Sequence, residues 1–161
     1  MLYITKRLFL GTFLISLFAP FSMCLHGSKI AFATLAVGKE YCEGVKLGLQ
    51  NKQEYCARHE YDFMCEDKNL DESRPIAWSK VLHVLKLMEN RDYDWIFWSD
   101  ADALIMNTGL RLESLVDEDY NFIVSNDFNG LNTGHFLIRN CEWSRRFLQE
   151  VYAREEFIHD P

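Results

Sequence analysis

The sequence predicts a single α/β domain with a mostly parallel sheet and helices on its faces. The chain has 161 residues and 48% of them are apolar, which is enough for one domain with a sizeable core. From Lys29 onward, short apolar runs alternate with segments of helical periodicity, an order that favours right-handed crossovers between parallel strands. The apolar run at residues 95–98 leads directly into Asp100 and Asp102, so acidic side chains are expected where a buried strand ends.

The first half of the domain carries the strand–helix alternation. The predicted strands are residues 30–37, 61–65 and 95–98. The predicted helices are residues 40–58, with an apolar face of Tyr41, Val45, Leu49 and Tyr55, and residues 75–90, with Trp78, Leu82, Leu85 and Met88 at helical spacing. Pro75 opens the second helix because its missing N–H does no harm in a first turn.

The second half continues with shorter elements. A helical turn is expected within residues 108–119, where Leu110, Leu112 and Leu115 occur. The strands expected after it are residues 122–125 and 133–139, separated by a turn-rich loop at residues 126–131. The last predicted helix is residues 142–156, with Trp143, Phe147 and Val151 on its core face.

The pair Asp100 and Asp102 is the clearest chemical signal in the chain. Two carboxylates on one short turn repel each other unless a cation lies between them, and hard oxygen ligands suit a divalent metal ion. Ligands of open α/β sheets bind outside the carboxyl ends of the strands. The sequence therefore predicts a metal site that holds an anionic ligand such as a phosphate, with a helix N-cap or a solvated turn as the alternative.

The charge balance bears on the class of partner. The formal net charge is −7, and no Lys/Arg-rich run follows the first 27 residues. A strongly acidic chain of this kind argues against nucleic acid as the main partner. It remains compatible with a phosphate ligand, because a metal ion supplies local positive charge.

Residues 1–27 differ from the rest of the chain. Lys6 and Arg7 precede an apolar stretch that extends to Leu25, as is typical of a secretory leader. The stretch approaches the roughly 20 residues that span a bilayer, although Pro20 interrupts it. A cleaved signal peptide and a signal anchor both remain open, with a buried core helix as a third alternative. An anchor would place the body, residues 28–161, in the lumen.

Five cysteines are divided between the leader and the body. Cys24 lies in the leader, and Cys42, Cys56, Cys65 and Cys141 lie in the body. An even number of cysteines in a secreted chain is compatible with disulfides, and buried free thiols are the alternative. Their spacing does not match a zinc site.

Two stretches and one tripeptide carry a family resemblance. Residues 98–107, WSDADALIMN, and residues 131–148, LNTGHFLIRNCEWSRRFL, resemble the glycosyltransferase family that joins fungal alpha-galactosyl- and alpha-mannosyltransferases with plant xyloglucan xylosyltransferases. Trp78-Ser79-Lys80 is similar to the Trp-Ala-Lys of that family. The resemblance covers residues 29–161 and is strongest between residues 78 and 148.

The resemblance implies a function class. Its members have the GT-A fold, a Rossmann-like nucleotide-binding domain, and use Mn²⁺ (or Mg²⁺) with a UDP- or GDP-sugar. They transfer a hexose or pentose to a glycan acceptor with retention of configuration. They are typically Golgi type II membrane proteins, held in the membrane by an N-terminal segment.

The resemblance also implies roles for the acidic turn. Asp102 is expected to be a direct metal ligand. Asp100 is expected at the same metal site, where it would reach the ribose or a metal-bound water. Ala101 between them is small enough to let the nucleotide approach. No residue of the chain is assigned as catalytic in the narrower sense.

Other residues are expected around the nucleotide sugar. Lys80 would neutralise the diphosphate or contact the donor sugar, and Thr34 and Ala36 lie where the family receives the nucleotide base. The alternatives are a solvated lysine and ordinary strand residues.

A third group is expected near the sugars. Asn132 offers a donor and an acceptor for sugar hydroxyls, Gly134 permits close backbone approach, and Asp127 is a further candidate for acceptor or donor hydroxyls. Turn chemistry is the alternative for Asn132 and Gly134, and a solvated loop aspartate is the alternative for Asp127. His135 is expected to face outward and to be structural.

The chain departs from the family pattern near its end. Relatives are expected to continue further, with an acidic-Gln pair near the sugar and a later histidine that completes the metal shell. The body is therefore expected to be a partial GT-A domain, from a fragment, a truncated gene or a degenerate relative.

Two other functions remain open on the sequence. A non-catalytic lumenal binding protein could use the same fold. An Asp-x-Asp phosphatase is more remote, because that class carries its motif on the first strand and has Thr or Val where Leu104 stands here.

Overall fold

The computed structural model describes residues 28–158. The leader with Cys24 and residues 159–161 lie outside the described residues. The strands are β1 (Ile30–Leu35), β2 (Asp62–Glu66), β3 (Trp95–Ser99), β4 (Phe122–Asp127) and β5 (Gly130–Arg139). The α-helices are α1 (Lys39–Gly44), α2 (Lys46–His59), α3 (Ser79–Leu87) and α4 (Glu142–Tyr152). Short 3₁₀ turns are found at Ile76–Trp78, Leu112–Leu115 and Glu155–Phe157. Within residues 28–158 no helix is long and apolar enough to cross a bilayer.

The five strands form one sheet in the order β2-β1-β3-β5-β4. Strands β2, β1 and β3 are parallel, as predicted, with Phe32 opposite both Phe63 and Phe97. Strand β5 runs antiparallel to both of its neighbours, β3 and β4, so four strands share one direction and the reversed β5 makes the sheet mixed. The physical reason is the short connection between β4 and β5, because a hairpin can join only antiparallel strands.

The predicted loop at residues 126–131 is the tip of this hairpin. Strand β4 extends to Asp127 and β5 begins at Gly130, so most of the expected loop is paired strand. Gly130 has φ of +113°, a conformation that glycine adopts without steric cost. The hairpin thereby brings Gly134 and His135 alongside the end of β3 and the start of the acidic turn.

Strand β3 lies at the centre of the sheet and is buried along its whole length. Ile96 and Trp98 pack with Val84 of α3 and Leu148 of α4. The opposite face of the strand packs against α2 and β1. Because both faces of β3 are covered, its sequence is a continuous apolar run and does not alternate between apolar and polar residues.

The first predicted helix is divided in two. Helix α1 ends at Gly44 and α2 begins at Lys46, and Val45 between them has φ of −97° and ψ of 9°. Val45 is buried against Ala36 and Ala101. Glycine is a poor helix former, so Gly44 is a favourable place for the change of direction.

The predicted core faces of the helices are only partly right. In α2 the buried residues are Gly48, Lys52, Tyr55, Cys56 and His59. In α3 they are Ser79, His83, Val84 and Leu87. In α4 they are Ser144 and Leu148. Trp78 lies in the 3₁₀ turn before α3 rather than in the helix. Trp143 is 50% exposed and stacks on Phe147, and it is Phe147 that packs against the core.

The cysteines of the described chain are free thiols. Cys42, Cys56, Cys65 and Cys141 form no disulfide. Cys56 is buried, and burial raises the pKa of its thiol to about 12. A thiol of this kind stays protonated and behaves as a small apolar side chain.

Candidate functional site

The acidic turn lies where the sequence predicts it, directly after β3. Asp100 follows the strand, and residues 101–102 form a turn at the same sheet edge as the carboxyl end of β1. A cavity of about 420 Å³ opens there. Its walls are the segment after β1 with Val37 and Tyr41, the segment before α3 with Ile76, and the acidic turn itself.

Asp100 is held from three directions. Its Oδ1 accepts hydrogen bonds from Nε1 of Trp98 at 2.7 Å and pairs with Nζ of Lys80 at 2.9 Å. Its backbone N–H donates to the carbonyl of Gly134 at 2.9 Å. The charge of Asp100 is therefore compensated and its side chain is fixed.

Lys80 connects the acidic turn to β5. Its Nζ donates to the carbonyl of Thr133 at 3.2 Å and lies 5.2 Å from the centroid of the Trp98 ring. Its side chain also lines the cavity. The predicted proximity of Lys80 to the site is observed, and its contact with a diphosphate or a sugar stays a prediction.

Asp102 is different from Asp100. Its side chain is exposed and lines the cavity, and within the described chain it makes no hydrogen bond or ion pair. Its oxygens are hard donors of the kind that Mg²⁺ and Mn²⁺ prefer. Residues 28–158 contain no cluster of three or more histidine, cysteine or acidic side chains that would hold a metal alone. The donor set fits an ion that takes most of its remaining ligands from a phosphate ligand and water.

Asp127, Asn132 and Gly134 lie together in the β4–β5 hairpin. Asn132 donates from Nδ2 to Asp127 Oδ2 at 2.9 Å, and its Oδ1 accepts from the backbone N–H of Gly134 at 2.9 Å. A Cβ on Gly134 would lie 2.9 Å from that Oδ1 and 3.2 Å from Asp100 Oδ2. A larger residue would push against both side chains, so glycine favours the close approach of the hairpin to Asp100. The predicted sugar contacts of the three residues stay predictions.

Thr34 and Ala36 lie behind the cavity wall. Thr34 is 0% exposed with its Oγ1 unpaired, and Ala36 is buried with Val45 and Ala101. Their side chains do not reach the cavity, because strand alternation turns the neighbouring Leu35 and Val37 towards it instead. Contact of a nucleotide base with Thr34 and Ala36 stays a prediction. In this arrangement such a contact would involve the backbone of these residues and not their side chains.

Ala101 and His135 are also more buried than the sequence suggests. Ala101 is only 1% exposed, so its small size is already required by packing beneath the turn. His135 lies opposite Ser99 and is half-buried, 6.4 Å from the Phe97 ring, rather than facing outward. His135 is half-buried because other parts of the chain cover both faces of the sheet. Burial lowers the pKa of His135.

Three residues of α2 and one aromatic residue were missed. Gly48, Asn51 and Lys52 lie directly under the acidic turn and the segment that follows it. They share one helical face, but the periodicity of apolar residues, which predicts the helix, does not mark this polar face. Tyr41 lines the cavity, and burial, with Asp102 and Asp100 adding to it, raises the pKa of its hydroxyl.

Comparison with protein families matches residues 36–116 and 113–157 to the galactosyl transferase GMA12/MNN10 family. Galactomannan galactosyltransferase 1 of Cyamopsis tetragonoloba is 29% identical over 109 residues, which are 62% of this chain and 25% of that protein. Xyloglucan 6-xylosyltransferase 4 of Arabidopsis thaliana is 31% identical over 132 residues, 76% of this chain and 25% of that protein.

The chain is also similar to a yeast protein and to a solved glycosyltransferase structure. An uncharacterized alpha-1,2-galactosyltransferase of Schizosaccharomyces pombe is 30% identical over 151 residues, 66% of this chain and 40% of that protein. The chain thus spans between 25% and 40% of the length of these three relatives. Among solved structures, a glycosyltransferase involved in the glycosylation of the major capsid of PBCV-1 has the same fold, with a TM-score of 0.63 and 18% identity over 78% of this chain and 68% of that chain.

Proposed function

We propose that this chain, which belongs to the galactosyl transferase GMA12/MNN10 family, forms the nucleotide-sugar-binding part of a glycosyltransferase. The family resemblance of residues 98–107 and 131–148 and the α/β fold predicted with it are confirmed. The observation that carries the proposal is the unpaired carboxylate of Asp102 at the end of β3, facing a cavity of about 420 Å³ beside Lys80.

The proposed donor is a UDP- or GDP-sugar that carries a hexose or a pentose. Asp102, with Asp100 next to it, would hold a Mn²⁺ or Mg²⁺ ion, whose chemistry when bound is to stabilise negative charge on a diphosphate leaving group. Lys80 keeps a positive charge at the same place and orients Asp100. Tyr41, Val37 and Ile76 provide an apolar wall with an aromatic side chain, which suits a nucleotide base.

The sugar end of the donor is proposed to lie on the other side of Lys80. A cleft of about 250 Å³ is lined there by Trp78, Thr133 and Val151 as well as Lys80. It adjoins Asn132 and Gly134 along β5, which supports their proposed contacts with sugar hydroxyls. A glycan acceptor and retention of anomeric configuration complete the proposal, and the names of the relatives, which include galactosyl- and xylosyltransferases, support the transfer of a hexose or a pentose.

We further propose that the protein works in the secretory pathway as a Golgi type II membrane protein. The basic and apolar character of residues 1–27 supports this location.

A non-catalytic binding protein is the second candidate. It is favoured by one observation, the lack of a three-ligand metal cluster within residues 28–158. A phosphatase is disfavoured, because the chain belongs to a different family and Asp100 is already bound by Lys80 and Trp98.

A nucleotide-release assay separates the two candidates. The full chain is incubated with Mn²⁺, a manno- or gluco-oligosaccharide acceptor and, in turn, UDP-galactose, UDP-xylose and GDP-mannose. The proposal predicts nucleotide release from one of the donors, with transfer to the acceptor and loss of both in EDTA. Metal-dependent nucleotide binding without release from any donor would instead support the binding protein.

Lys80→Met is predicted to lower the affinity for a Mn²⁺–nucleoside diphosphate by roughly tenfold, the effect of losing one charge-assisted contact of about 1.4 kcal/mol. The change keeps the length of the side chain but leaves Asp100 without its cationic partner. Isothermal titration calorimetry with UDP and Mn²⁺ measures it. Lys86→Met is the matched control, because Lys86 lies on the same helix and pairs with Glu66 away from the cavity. Equal effects of the two substitutions would contradict a specific role of Lys80.

A further inference from the structure

Lys52 is a buried lysine directly beneath the acidic turn. It is 0% exposed, and its ammonium donates to the backbone carbonyls of Ala101 at 3.2 Å, Gly48 at 3.5 Å and, at very short range, Ala103. These carbonyls match the three donors of an ammonium group. Within residues 28–158 no carboxylate forms an ion pair with it.

The same face of α2 binds the segment that follows the acidic turn. The amide of Asn51 donates to the carbonyl of Ile105 at 3.2 Å and accepts from its N–H at 2.6 Å. The hydroxyl of Tyr55 donates to the carbonyl of Leu110 at 2.6 Å. His59 Nε2 lies 2.8 Å from the carbonyl of Thr108. Side chains of α2 therefore hold residues 101–110 through hydrogen bonds to the backbone of that segment.

The chemistry of these bonds changes along the helix. The amide of Asn51 and the phenol of Tyr55 are neutral, and neutral groups suffice to bind a backbone carbonyl. Lys52, under the acidic turn, binds its backbone carbonyls with a buried cation instead. A buried charge without a carboxylate partner is costly, so its use at this one position needs a reason beyond backbone binding.

The acidic turn provides that reason. Burial lowers the pKa of Lys52, whereas Asp102 and Asp100 raise it, so the two carboxylates and the ammonium interact favourably. The ammonium binds the carbonyls on either side of Asp102, those of Ala101 and Ala103. It can therefore fix the backbone from which the carboxylate of Asp102 extends.

We propose that Lys52 is a positioning residue for the acidic turn, which holds the backbone on both sides of Asp102 and, together with Lys80 at Asp100, places positive charge beside the two carboxylates before a cation binds. The inference deepens the proposed function and rests on it. Lys52 itself does not line the cavity, so it would touch neither a nucleotide nor a metal ion bound there. Its role is comparable to that of the outer partners of metal ligands, whose removal weakens metal binding without removing a ligand.

Lys52→Met tests the inference, with Tyr55→Phe as the matched control. Both substitutions keep the size of the side chain and remove a donor from α2 to a backbone carbonyl. Calorimetry with UDP and Mn²⁺ is expected to show an affinity about ten- to a hundredfold lower for Lys52→Met and within about twofold of wild type for Tyr55→Phe. Equal affinities of the two variants would overturn the inference. If Lys52→Met does not fold, Lys52→Gln, which keeps a neutral donor, takes its place with the same expected order.

Amide hydrogen exchange distinguishes failure of this inference from failure of the proposed function. Faster exchange confined to residues 100–105 is expected in Lys52→Met, and confined to residues 108–112 in Tyr55→Phe. If the wild-type chain binds no UDP with Mn²⁺, the proposed function fails, and the exchange pattern still decides whether Lys52 holds the turn. Unchanged exchange at residues 100–105 would overturn its positioning role.

Discussion

Asp102→Asn is expected to lower Mn²⁺-dependent UDP binding by roughly a hundredfold or more, the largest effect on binding that we predict. The substitution keeps the shape of the side chain but replaces an anionic oxygen with an amide, which is a weak ligand for a hard cation. Because the side chain is exposed and unpaired within the described chain, the free energy of unfolding should change by no more than about 0.5 kcal/mol. Calorimetry and urea denaturation measure the two quantities.

Asp92→Asn is the matched control for this charge change. Asp92 is also exposed, and it lies before β3 at the opposite end of the strand from Asp102. It should leave UDP binding unchanged. If both variants bind UDP as the wild type does, or if both lose affinity equally, Asp102 is not the metal ligand.

Gly48→Ala is expected to destabilise the fold by about 1–3 kcal/mol, the usual cost of overpacking. A Cβ at this position would come closer than 3.0 Å to the carbonyl oxygen of Ala101 and to 3.2 Å from that of Ala103. Both are backbone atoms that cannot rotate away, so α2 and the acidic turn must separate. The separation would also weaken the bonds of Lys52, so UDP affinity should fall together with stability.

Gly44→Ala provides the comparison for Gly48→Ala. Gly44 is also a helical glycine, and a Cβ there would meet nothing within 4 Å. Alanine is the better helix former, so this substitution should be neutral or stabilise by up to about 1 kcal/mol. Urea denaturation that shows equal stability for the two variants would contradict the close approach of α2 to the turn.

Much of the parallel half of the fold could be predicted from the sequence. The run at residues 95–98 is apolar on both faces, and such a run at the end of a strand–helix series indicates a central buried strand. Asp100 and Asp102 therefore had to lie at a sheet edge. Strand direction is not encoded in periodicity, so the sequence did not predict that β5 runs against the other four strands. Residues 126–131 are turn-forming and predict a loop, whereas most of them belong to the paired strands of a hairpin. The hydrogen bond between Asn132 and Asp127 stabilises this hairpin.

The support beneath the site could not be predicted in the same way. A lysine in a helix usually lies in solvent, and nothing local distinguishes Lys52 from Lys46, which is exposed. Its burial depends on Gly48, which lets the helix approach a turn that lies far away in sequence. For Thr34 and Ala36 the sequence predicts the position along the chain, at the end of β1, but not the direction of the side chains. Strand alternation turns both side chains into the core.

The location of the metal ion in the presence of nucleotide most directly tests whether the acidic turn is a metal-dependent nucleotide site. Substoichiometric Mn²⁺ is added to the full, isotopically labelled chain with UDP, and paramagnetic broadening of the amide signals is followed by NMR, with Mg²⁺ as the diamagnetic reference. We expect residues 100–103 to broaden first, followed by residues 37–41 across the cavity, and Asp102→Asn to remove the effect. Since the net charge of the chain is −7, cations can also collect elsewhere on its surface. Equal broadening at residues 92–94, or broadening that Asp102→Asn does not change, would contradict a metal-dependent nucleotide site at the acidic turn.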